Sequence, residues 1–218
     1  NCACDWNDGN FSDYNSTHFD SGNYTNTKIN GENVSLNITP LDDETKLLLH
    51  FGGTEGSTTF TDSSPQGHTQ SAVNGDPHIN TSDSQLGGAS GKFGGTLSDY
   101  VNFSDSADWD FGSGDWTIDF WIKFHSFPSA TAGVIGHYSR SDDGQRSWNV
   151  EYASVDKMYF NYATDGSTGV WSPSTETGII TSDWNHFAYV RDGNTLRFFA
   201  NGGTVGTADL TGVTFYNP

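Results

Sequence analysis

Breaking a glycosidic bond with retention of configuration takes two carboxyl groups about 5 to 5.5 Å apart. This chain has few places to supply them. Its glutamates are Glu32, Glu44, Glu55, Glu151 and Glu176, and no two fall close together on one strand. Asp115 and Asp119 share a parity, but Asp115 sits at the mouth of its strand. Asp119 reads more simply as an exposed residue pairing with Lys123 or with a neighbouring strand. Ser182, Asp183 and His186 are adjacent, yet strand geometry does not converge them into a nucleophile, a base and an orienting carboxylate. Nucleophile elbow, His-x-x-x-His pair and Cys-rich zinc set are all missing from the sequence. The histidines are scattered; His50 and His186 are expected to alternate within strands and hydrogen-bond in or beside the core. Binding is the chemistry that remains. Sugars stack on aromatic rings and hydrogen-bond to Asp and Asn. Among Trp109, Trp116, Trp121, Trp148, Trp171 and Trp184, most should be core, because Trp is usually largely buried. Trp121 lies off the core by parity and Trp171 is expected in a loop, so these two, with Tyr138 and Asp119, are the candidate ligand contacts.

The element that must position Trp121 and Asp119 is the stretch GSGDWTIDFWIKF, residues 112–124. Ile118, Phe120, Ile122 and Phe124 point one way; Thr117, Asp119, Trp121 and Lys123 point the other. A period of two marks a strand with one buried face. Around it run further short strands: KLLLHF from Lys46, segments near Ala72–Val73 and His78–Ile79, GGASGKF, DYVNF, GVIGHY, SWNVEY, KMYFNY, WNHFAYVR, TLRFFA, and Val205 onward. Turn formers separate them, including Asp192-Gly193 and Asn201-Gly202. DSADWDF, residues 105–111, reads as a loop or one helical turn. No sustained 3.6-residue period occurs in 45–218, so the pattern predicts an all-β sandwich.

Residues 1–44 differ. They are rich in Asn, Asp, Ser, Thr and Gly, and hold one clear strand at Glu32–Thr39, where Val34, Leu36 and Ile38 alternate with polar residues. Asn30-Gly31 offers a hairpin turn to a partner at Tyr24–Ile29. The segment has too little apolar mass to close a core alone. It reads as an arm or the tail of a preceding module, before a domain over 45–218.

With 27 acidic against 9 basic residues, the net charge is -18. That argues against nucleic acid and anionic membranes, which need clustered Lys and Arg. No apolar run reaches membrane-spanning length. The only cysteines are Cys2 and Cys4, too close for an unstrained mutual bond. They are free thiols, are bonded to another chain, or are bonded to another segment of a longer protein. Sequons occur at Asn10, Asn15, Asn23, Asn33, Asn37, Asn80 and Asn102. Their use would place the chain in a secretory route, at a cell or virion surface.

Five ordered blocks, KLLLHFGG, FTDSSPQGH, GGASGKFGGTLSDYVNF, DSADWDFGSGDWTIDFWIKF and WNHFAYVRDGNTLRFFANGG, resemble the laminin-G-like branch of the concanavalin A-like lectin/glucanase superfamily over residues 45 to about 212. The resemblance implies a jelly-roll sandwich of two antiparallel sheets. It also implies structural Ca2+ near Asp62, with Ser64 and Gly67 offering backbone oxygens; an ordinary turn is the alternative there. Glucanases of the superfamily carry Glu-x-Asp-x-x-Glu on one strand, a pattern this chain lacks. The family's final strand, near a motif of the type Ile-Asp-Glu-x-Arg-Ile, has no counterpart before Pro218, and Glu32–Thr39 is a candidate to fill its slot, in cis or from a neighbouring copy. The expected function is non-catalytic recognition of a glycan or protein. The alternative is a structural subunit of a filament, sheath or virion appendage, joined to copies of itself through the arm or an open sheet edge. Glycoside hydrolysis comes third.

Overall fold

The computed structural model describes residues 43–96, 98–128, 130–139, 144–154, 157–172 and 182–218, together with the backbone alone of 22–29 and 32–38; for 154, 171 and 172 only the backbone is described. The chain divides into two compact units, Asn1–Leu48 with Asp62–Gly67, and Leu49–Thr61 with His68–Pro218. In the first unit, β1 (Gly22–Ile29) and β2 (Glu32–Ile38) form an antiparallel hairpin in which Ile29 lies opposite Glu32. The pairing expected for the Val34, Leu36 and Ile38 strand is therefore present.

Among its described residues the second unit is all β apart from one 3-10 turn at Ala107–Trp109, which Ser106 caps by accepting the Asp108 N–H. Two short ladders come first: β3 (Gln70–Asn74) pairs with β6 (Tyr100–Phe103), and β4 (His78–Asn80) with β5 (Ser90–Lys92). They enclose a small cluster of Phe60, Ile79 and Ala89, against which Phe51, Val73, Val101 and Phe103 pack. KLLLHF forms no strand; within it only Leu49 makes an isolated bridge. Phe51, at φ 52°, turns the backbone into the left-handed region just before Gly52-Gly53 and ends any extended run.

The main sandwich has two four-stranded antiparallel sheets. One, the β12 sheet, runs β14 (Gly203–Asp209), β13 (Thr195–Ala200), β12 (Trp184–Asp192), β7 (Trp116–Lys123). The other, the β9 sheet, runs β11 (Gly169–Ser172), β10 (Lys157–Ala163), β9 (Arg146–Ser154), β8 (Ala132–Tyr138). Alternation puts Ile118, Phe120 and Ile122 of β7 on the core side, as the period of two predicts. They meet Trp148, Val150, Tyr152, Met158 and Phe160 from the facing sheet. Aromatic rings bridge the layers: Trp116 stacks on Phe160 at 5.0 Å, and Phe111 lies 4.5 Å from Trp148. The Asn201-Gly202 turn is as expected, with φ of 48° and 80° between Ala200 and its partner Gly203. The preceding turn sits one residue later than Asp192-Gly193, because Asp192 still pairs with Thr195.

A buried cation closes one end of this unit. Arg191 is 3% exposed and donates to the carbonyls of Gly193, Gly112 and Val213. Its guanidinium also lies over the Phe215 ring at 5.6 Å.

Candidate ligand-binding faces

The four residues expected to touch a ligand fall on two different sheets. Trp121 and Asp119 stand on the outer face of the β12 sheet, on its edge strand β7. Tyr138 and Trp171 belong to the β9 sheet, on β8 and β11. The two pairs therefore lie on different sheets and do not make a single site.

On the β12 sheet, Trp121 is 40% exposed, an unusual state for an indole in the middle of a strand. Register sets it opposite His186 on β12. The two rings lie 5.0 Å apart at 47°, and His186 Nε2 lies 3.3 Å from Asp119 Oδ2. Asp119 therefore orients the imidazole, which in turn flanks the indole. Lys123, the partner considered for Asp119 in the sequence, instead reaches Asp83 Oδ2 at 2.7 Å. Asp83 also accepts the Trp184 indole N–H at 3.1 Å, and its backbone carbonyl accepts the Ser90 hydroxyl. The Lys123 contact first, and the Trp184 contact after it, hold the Asp83 carboxyl below the usual carboxylate range. This clamp fixes the loop before β5 beside the Trp121 row. Inward along the Asp119 row stand Ala188 and Phe199, both half-buried. The result is a flat face with an exposed aromatic ring, an adjacent carboxylate and an apolar centre.

On the β9 sheet, Trp171 lies in strand β11 rather than in a loop, opposite Asn161. Tyr138 is half-buried beneath the Arg146 guanidinium, 5.9 Å from its ring. Its hydroxyl lies 2.9 Å from where a Cβ on Gly169 would be. Sequence reasoning missed the residues between them. Asn149, Glu151 and Asn161 alternate with core side chains and so occupy the outer face, yet are 8%, 1% and 3% exposed. Asn149 donates to Glu151 Oε2 at 3.2 Å. The available signal was the polar parity of SWNVEY and KMYFNY, where Asn and Glu repeat at every second position.

The loop expected to hold Ca2+ is a hydrogen-bonded turn. Asp62 Oδ1 accepts the N–H of Leu48 at 2.9 Å and of Ser64 at 2.8 Å, and Oδ2 accepts the Ser64 hydroxyl at 2.8 Å. The Gly67 N–H closes the turn on the Ser64 carbonyl. Calcium needs six to eight converging oxygens. Here one carboxylate is already met by donors, and among the described residues no group of three or more His, Cys, Asp or Glu could hold a metal. Asp62, Ser64 and Gly67 do not fit a calcium ion in this arrangement.

The other two carboxylates considered for chemistry have structural partners. Asp115 accepts the Gly193 N–H at 2.7 Å, and Asp183 accepts the Trp184 N–H. His186 faces Asp119 rather than Ser182, and it sits on the outer face, while His50 is exposed rather than beside the core. Two more histidines flank the 3-10 turn: His68 lies 3.0 Å from Asp108, and His137 lies 3.3 Å from Asp105. Of the sequon residues, Asn102 is exposed on β6 and Asn80 is half-buried on β4. Asn23, Asn33 and Asn37 lie on β1 and β2, described by backbone alone. Asn10, Asn15, Cys2 and Cys4 lie outside the described residues.

No curated protein matches the chain. Among solved structures, its fold is similar to the binding domain of Paraclostridial Mosquitocidal Protein 1, with a TM-score of 0.55 and 12% sequence identity over 81% of this chain. The match covers 43% of that protein's chain, so this chain spans less than half its length. Residues 93–218, more than half of the sequence, match Laminin_G_3, described as the concanavalin A-like lectin/glucanases superfamily. The chain belongs to that superfamily, in its laminin-G-like branch.

Proposed function

We propose that this is a non-catalytic recognition domain that binds a glycan or a protein at an extracellular surface through the outer face of the β12 sheet. The observation that carries this reading is Trp121: a large indole left 40% exposed on a flat face, held from one side by His186. A ring oriented in advance loses little freedom when a pyranose ring or an apolar side chain stacks on it. Asp119, 64% exposed at its side chain, stands ready to accept a ligand donor. The structural bonds of Asp115 and Asp183 support a non-catalytic domain. The exposed sequon at Asn102 and the strongly acidic composition support an extracellular setting. Residues 1–44 serve as an arm to the domain at 45–218.

One observation favours assembly as a second reading. Among the described residues β7 ends its sheet and pairs only with β12, and an edge strand can accept a strand from another copy. Screening the full chain and its Trp121→Ala variant against glycan and extracellular-protein arrays tests the first reading. Loss of binding in the variant is expected. Unchanged binding, or growth of the native chain into polymers through β7 without any ligand, would overturn it.

A further inference from the structure

The charges on the outer face of the β12 sheet narrow what Trp121 can hold. Strand parity puts Asp119 and Lys123 of β7, Asp192 of β12, Arg197 of β13 and Asp209 of β14 on that face. Among the described residues its Lys and Arg are each already paired. Lys123 lies 2.7 Å from Asp83, and Arg197 lies 2.9 Å from Asp192. Asp119 is different. Its ion-pair partner is His186, and an imidazole in its neutral form brings no charge. That contact is made to Oδ2, which leaves Oδ1 to a ligand. Trp121 stands two residues along the same side of the strand, about 7 Å away at the backbone. His186 flanks its ring from β12, and among the described residues no strand lies beyond β7, so the indole is approachable from the sheet edge. The net charge of -18 draws cations to the chain as a whole.

We infer that Trp121 and Asp119 together receive an arginine side chain of a protein partner. Indole is the aromatic ring that attracts a cation best. A guanidinium is flat, so it stacks on the ring while its N–H fork donates to the carboxylate beside it. A lysine ammonium is a compact point charge and engages the ring or the carboxylate, with less of both at once. A quaternary ammonium has no N–H for Asp119. A neutral ring would stack on Trp121 and leave the Asp119 charge unanswered. The inference rests on the recognition reading above and names the partner of that same face by its chemistry.

The test is an NMR titration of the full chain, read at the Trp121 indole N–H, at low ionic strength where exposed charges are least screened. The probe is a blocked pentapeptide with one arginine flanked by glycines. Matched peptides carry citrulline, which keeps the shape and loses the charge, or lysine, which keeps the charge and loses the fork. The arginine peptide should shift the indole signal and saturate it, and the lysine and citrulline peptides should bind more weakly, citrulline by about fivefold. Asp119→Asn should weaken arginine binding about threefold. Asp209→Asn removes the same charge from the far end of the face and should change it little. Both variants keep side-chain shape outside the core, and circular dichroism checks their fold. No response to the arginine peptide, equal binding of citrulline or of lysine, or an Asp209→Asn effect as large as that of Asp119→Asn would overturn the inference. If the indole ignores arginine while Trp121→Ala loses a neutral glycan, this inference falls and the recognition reading stands. If Trp121→Ala keeps all binding that the native chain shows, both fall.

Discussion

Trp121 and His186 face each other across β7 and β12 with ring centroids 5.0 Å apart, and Asp119 anchors the imidazole at 3.3 Å. An exposed indole on a strand would otherwise be free to rotate about its χ angles. The flanking ring removes part of that freedom before any ligand arrives. Replacing Trp121 with Ala should weaken ligand binding by about 2 kcal/mol, roughly thirtyfold in Kd. His186→Ala should weaken it less, because only the orientation is lost. Neither change should move the urea midpoint far, since both side chains lie outside the core; surface plasmon resonance beside urea melts would show the split.

Asp62 accepts three hydrogen bonds that tie residues 48, 62 and 64 together. Asp62→Ala strands two backbone N–H groups and should destabilise the chain by about 1 to 3 kcal/mol. Removing calcium with EDTA should leave the melting temperature of the native chain unchanged. A drop of several degrees on chelation, reversed by added calcium, would contradict the hydrogen-bonded reading of this loop.

Arg191 is a buried charge that joins three segments of the second unit. It is buried and satisfies three carbonyls drawn from the β7 approach, the β12–β13 turn and the C-terminal segment. Arg191→Met keeps much of the volume and removes the donors, so it should destabilise by about 3 kcal/mol or more, read from the urea midpoint. Arg191→Lys should recover only part, because one ammonium cannot reproduce the planar fork.

The Asp83 clamp gives a pH dependence with a definite sign. Its carboxyl titrates below the usual range in the folded chain, chiefly through Lys123. The clamp's stabilisation is therefore full above the unfolded value, near pH 4, and is lost as pH falls through the lower folded value. The Trp184 environment should change over that acid window, and Asp83→Asn should abolish the change. Tryptophan fluorescence of a chain retaining Trp184, with exposed Trp121 replaced by Phe, would follow it.

Much of the fold was legible in the sequence because it rests on local alternation. Residues 116–123 carry a strict period of two, and the structure keeps every parity, with Ile118 buried and Trp121 out. Turn chemistry did the same for Asn201-Gly202. What failed depended on non-local geometry. KLLLHF is apolar enough for a strand, but a left-handed Phe51 and the Asp62 carboxylate, rather than a neighbouring strand, decide its path. Asp119 pairs with His186, 67 positions away, instead of the nearby Lys123. Asn149 and Asn161 show polar parity in sequence, but their burial comes from packing that parity does not encode.

Recognition on the β12 sheet through Trp121 is the claim on which the proposed function depends. The most direct measurement is binding of the native chain and of Trp121→Ala, side by side, to arrays of glycans and extracellular proteins. The native chain should bind at least one of them, and Trp121→Ala, folded by circular dichroism, should lose that binding. Equal binding by both chains, or none by the native chain, would contradict the claim.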